Sequence, residues 1–141
     1  MIKEKDVPKI LKDDGVKILN TDLKNAEIIP IPFVLNIVNQ EISWAFTLVD
    51  TESNSATLIG QLPGEGNRMH HHEDWDEWWY IVQGEWKWEY GGEERSVKEG
   101  DLVFIKRGIK HKITAVGDKM AVRLAVSRYD VNHIYEEEDE S

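Results

Sequence analysis

Between Ile42 and Arg128 apolar and polar residues alternate in short runs broken by turn residues, and no stretch holds a helical period over about ten residues. That pattern predicts an all-β fold. The clearest run is Glu85-Trp86-Lys87-Trp88-Glu89-Tyr90, where Trp86, Trp88 and Tyr90 fall on one face of a strand and the charged residues on the other. Gly91-Gly92 follows, a pair able to take the positive φ angles of a two-residue hairpin turn, so that Glu93 to Val97 returns antiparallel.

The same reading predicts strands over Trp44 to Val49, Ala56 to Leu62, Asn67 to His72, Leu102 to Ile105, Lys110 to Val116 and Met120 to Ser127, with another opening at Glu77. Pro63-Gly64-Glu65-Gly66, Glu99-Gly100-Asp101 and Gly117-Asp118 supply turns. Roughly eight to ten strands suffice to build a small barrel or sandwich. Residues 1–25 read as an irregular N-terminal segment, in which Val7 to Leu11 can start a short helix and Val16 to Leu19 is extended. Pro30 and Pro32 confine their neighbourhood to an edge strand or a loop. The barrel or sandwich is expected over 26–132. Residues 133–141, with the run Glu136-Glu137-Glu138-Asp139-Glu140, are expected to form a disordered acidic tail.

Composition narrows the chemistry. A chain of 141 residues suits one domain with its own core. It has no cysteine, which excludes disulfides, thiolate nucleophiles and Cys-held metals and leaves only His, Asp and Glu as ligands. Its 17 basic and 27 acidic residues give a net charge of −10, the opposite of what phosphate backbones attract, so neither nucleic acid nor an anionic membrane is an expected partner. No apolar run approaches the ~18 residues of a membrane span and no secretory signal follows Met1, so a cytoplasmic location is expected.

The candidate chemistry begins at His70-His71-His72. On an extended strand His70 and His72 share a face, with Cα atoms ~6.5 Å apart, and both imidazoles can meet one cation while His71 points away. Glu77 follows five residues later, and His111 stands three residues after Gly108.

These positions resemble the two motifs of the cupin superfamily. Gly64, His70, His72, Glu77 and Gly84 occupy every place of the first motif, and Gly100, Gly108 and His111 satisfy the second. The second departs at Lys106, where proline is usual, and at Ala115, where asparagine is usual, and neither place carries a ligand. The resemblance implies a double-stranded β-helix, or jelly-roll barrel, holding a metal through His70, His72, Glu77 and His111. Three imidazoles and a carboxylate suit one divalent Fe, Mn, Ni, Co or Zn ion, and leave about two open positions if the ion is octahedral.

The other candidates are weaker. Arg68 falls on the face of His70 and His72 if the strand is continuous, and there would grip a substrate anion. Trp79, two residues beyond Glu77, shares its inward face and would line a substrate pocket. Trp86 and Trp88 read as core or subunit interface, Arg123 as either cavity wall or exterior, and His133 as a surface residue. Together with the resemblance, these residues point to a metalloenzyme acting on a small molecule, of dioxygenase or oxygenase type, with Glu77 as ligand or general base. The alternatives are a metal-dependent isomerase or epimerase of a small sugar or hydroxy or keto acid, and a non-catalytic metabolite-binding cupin. A homodimer is expected, from the resemblance and from the surplus of alternating aromatic residues at Trp86, Trp88 and Tyr90.

Overall fold

A computed structural model describes residues 2–128 and 130–136. Along the chain run β1 (Ile2–Glu4), α1 (Val7–Asp13), β2 (Lys17–Leu19), α2 (Ile31–Ile37), β3 (Trp44–Asp50) and β4 (Ser55–Gln61). They are followed by β5 (His70–His71), β6 (Glu77–Gln83), β7 (Glu85–Tyr90), β8 (Glu93–Lys98), β9 (Leu102–Ile105), β10 (His111–Val116), β11 (Ala121–Ser127) and β12 (His133–Tyr135). The strands form two six-stranded sheets, ordered β1-β12-β5-β10-β7-β8 and β2-β3-β4-β11-β6-β9. The protein is mainly β and jelly-roll-like, with the sheets stacked rather than closed into a barrel.

Strand alternation decides what lies between the sheets. Trp86 and Trp88 of β7, Ile81 of β6, Ile105 of β9 and Ile113 and Ala115 of β10 point inward and form one buried cluster. The β7–β8 hairpin turns at Gly91 and Gly92, both at positive φ, with Tyr90 paired to Glu93 across the turn. Trp86 and Trp88 are buried within a single chain and Tyr90 is half-buried, so the two tryptophans belong to the core of one chain.

Three elements differ from the sequence reading. Pro30 and Pro32 sit at the start of α2, where Pro32 occupies the first turn. A missing N–H costs nothing there, since the first amides of a helix have no partner inside it. This helix buries Val34 against Trp44, Phe46 and Leu58 on the outer face of the second sheet. Residues 133–135 are likewise not tail: β12 pairs with β1 on one side and β5 on the other. The run 137–141 lies outside the described residues. Finally, the strand expected over 67–72 is reduced to β5, preceded by an isolated bridge between Gly66 and Thr114. A Cβ on Gly66 would lie 1.9 Å from the Ile113 carbonyl oxygen, so only glycine permits that approach.

Candidate metal centre

The site is assembled by three strands. β5 and the residue after it carry His70 and His72, β6 opens with Glu77, β10 opens with His111, and His111 lies directly opposite His70 in the ladder. All four side chains are buried. One ring nitrogen from each of His70, His72 and His111 lies within 4.8 Å of the other two. His71 points to the other side, 3.4 Å from Glu73.

Each of the three rings is held by a backbone carbonyl. Nδ1 of His70 lies 2.7 Å from the Arg68 oxygen, that of His111 2.9 Å from Ile109 and that of His72 3.3 Å from Trp75. A carbonyl only accepts, so Nδ1 carries the proton and, in the neutral form of each ring, Nε2 is left with a bare lone pair. Nε2 of His72 and of His111 and Oε2 of Glu77 are buried with no hydrogen-bond partner among the described residues. His72 Nε2 and Glu77 Oε2 come within 3.0 Å, but their alignment is not that of a hydrogen bond. Orphaned lone pairs are costly to bury, and a cation satisfies them all. Orientation of a ring by the hydrogen bond of its other nitrogen is the usual support of a metal-ligating histidine. The donor set therefore fits a divalent transition metal.

The electrostatics fit as well. Burial, with the neighbouring imidazoles, pushes His70 well below the ordinary histidine range, and burial pushes His111 down to about 4. Both rings are neutral at pH 7, as ligation requires. Burial alone would push Glu77 up and His72 down, but each stabilises the charge of the other, so Glu77 is held below its usual range and His72 above it.

A cavity of about 60 Å³ adjoins the cluster, lined among others by His70, Glu77, Trp79, Asp14, Arg123 and His133. Val7, Ile10 and Leu11 from α1 form an apolar wall. Trp79 lines this cavity, as the alternation of β6 predicts, with its ring 5.7 Å from that of His111. Arg68 does not. The chain bends at Met69, and the guanidinium turns to Asp14 at 2.6 Å and lies over the Tyr135 ring at 4.1 Å. The arginine in the cavity wall is Arg123, only 2% exposed, placed where the β6–β11 register shifts. Such a bulge re-aims a side chain.

His133 is the residue that the sequence reading missed. Its ring lies 5.1 Å from that of His70 and 5.7 Å from that of His72, and burial pushes it below the ordinary range. The available signal was the triplet His133-Ile134-Tyr135, an alternating strand pattern hidden by the acidic run behind it.

Two stacked sheets with histidines converging between them define a β-jelly-roll protein with a candidate metal site. Residues 58–127 match the Cupin domain family, and the chain carries a cupin domain. Among solved structures it resembles an uncharacterized conserved protein with a double-stranded β-helix domain from Klebsiella pneumoniae, at 18% identity and a TM-score of 0.67, over 80% of this chain and 94% of that one. The protein TT1209 from Thermus thermophilus is 26% identical with a TM-score of 0.64, over 72% of this chain and 96% of that one. A protein described as a predicted oxalate decarboxylase from Thermotoga maritima is 26% identical with a TM-score of 0.57, over 60% and 77%. Comparison with curated proteins finds no match.

Proposed function

We propose that the protein is a metal-dependent enzyme of oxygenase type, holding one divalent ion through His70, His72, His111 and Glu77 and acting on a small molecule in the adjoining cavity. The observation that carries this reading is the set of lone pairs left without partners among the described residues: Nε2 of His72 and of His111 and a carboxylate oxygen of Glu77, buried beside a cavity that His70 and Glu77 line. When bound, the ion supplies Lewis acidity and open positions for substrate and dioxygen, the latter serving as the oxidant. The chain does the rest. The Arg68, Trp75 and Ile109 carbonyls fix the three rings, Trp79 and the α1 residues exclude water, and Glu77 holds negative charge at the centre.

A metal-dependent isomerase is the second reading, favoured by the polar side chains, Asp14, Asn67, Glu77 and Arg123 among them, that share the cavity with the apolar residues of α1.

Elemental analysis of protein purified without a chelating tag tests the centre, with about one metal per chain expected. Oxygen consumption with small organic acids then tests the reaction. Turnover that persists without oxygen would assign the isomerase class, and a metal-free protein that still binds such acids would assign a binding module.

A further inference from the structure

Arg123 is fully buried, and no carboxylate of the described residues forms an ion pair with it. The two acids of the cavity wall, Asp14 and Glu77, favour its charge without forming an ion pair with it, and Asp14 is already paired with Arg68. The guanidinium lies between two indoles, 5.1 Å from the Trp79 ring and 4.9 Å from the Trp86 ring, and Nη1 donates to Oε1 of Gln61. What surrounds it is a surplus of donors. Arg123 Nε, Gln61 Nε2, Trp79 Nε1 and Trp86 Nε1 are all buried without an acceptor among the described residues. Burial even pushes the Arg123 pKa down to about 10, the mark of a cation without adequate compensation.

Of these residues Arg123 and Trp79 line the cavity, where unpaired guanidinium and indole N–H groups call for a ligand that only accepts, and a carboxylate is planar, anionic and matched to the guanidinium fork. Trp79 touches both Arg123 and His111, so one indole separates this donor cluster from the histidines. We propose that Arg123 anchors the carboxylate of a small organic acid held in the cavity of about 60 Å³, while the other end of the molecule faces His70 and Glu77. This deepens the reading of the metal centre and rests on it for the orientation of the acid, though not for the anchor.

Calorimetric titration of the full chain with oxalate, pyruvate and malonate, metal-loaded and metal-free, tests the anchor, with neutral oxamide and inorganic phosphate as controls. At least one acid should bind, and Arg123→Met should weaken it by about 10- to 100-fold in both forms. The same substitution should leave metal content unchanged and the melting temperature of the ligand-free protein no lower, since it removes a buried uncompensated charge. If Arg123→Met does not fold, Gln61→Glu decides: it sets a carboxylate permanently against the guanidinium and should abolish acid binding while metal content is kept. Undiminished binding in either variant, no binding of any acid, or preference for phosphate would overturn the anchor. Acid binding lost in the variants of a protein that takes up no metal would instead sink the metal centre and leave the anchor standing.

Discussion

Two halves of the space between the sheets are built by the same alternation and filled in opposite ways. Toward β7, β8 and β9, Trp86, Trp88, Val97, Val103, Ile105 and Ile113 make a dry apolar cluster. Toward β5, β12 and the start of β6 and β10, the inward positions hold His70, His72, Glu77, His111 and His133, with Arg123 beside them. The first half gains stability from the apolar area it buries, although Trp86, at its border with Arg123, leaves Nε1 unpaired among the described residues. The second buries polar atoms that lack partners, at a cost of about 1–3 kcal/mol for each one left unsatisfied. A fold tolerates such a region when something outside the chain completes it.

The largest expected effect lies in the apolar half. Trp86→Ala removes the largest kind of side chain from a fully buried position and should cost about 3–5 kcal/mol in urea unfolding, at the same metal content. A comparable loss on removing a cavity-lining histidine from metal-free protein would erase the distinction between the halves.

Acid should act on the polar half. The unfolded chain protonates His111 near 6.5, whereas the folded chain resists protonation down to about 4, so its contribution is present above pH 6.5 and is lost as pH falls through 4. That contribution is on the order of 3 kcal/mol. His70 and His133 are also shifted down and act in the same sense. Glu77 adds to the loss only below about its ordinary 4.5, and His72, shifted up, partly offsets it by contributing below 6.5 and fading as pH rises. Metal-free protein should therefore lose stability steadily between pH 6.5 and 4 in urea titrations, and a flat profile would contradict neutral buried imidazoles.

Metal should reverse the cost. A divalent ion at 100 times its dissociation constant should raise stability by about 2.7 kcal/mol, and His111→Ala should abolish both this gain and stoichiometric retention. Melting with and without added ion checks it. The smallest effect is expected outside both halves: Arg95, exposed and paired with Glu93, should change stability by no more than about 0.5 kcal/mol when replaced by Ala. Set beside Arg123→Met, it separates an arginine solvated at the surface from one confined without an anion.

Much of this was legible along the chain. Strand positions from Trp44 onward follow from period-2 alternation and turn residues, and the inward face of β6 follows from Glu77 and Trp79 standing two apart. Arg68 was misplaced because alternation was extended through Met69, where the chain bends and the side chain finds Asp14, 54 residues away in sequence. His133 was missed because three residues carry too little pattern to announce a strand whose pairing partners, β1 and β5, are both remote.

By itself, then, the sequence determined the β class, the alternating faces and the identity of the possible ligands, because these depend on neighbours a few residues apart. Only the tertiary structure decided that Arg123 rather than Arg68 enters the cavity, that His133 joins the histidines and that α1 forms one of its walls. Those outcomes depend on which distant segments meet, and the competition among burial, pairing and available partners that settles them is resolved only when the two sheets close on each other.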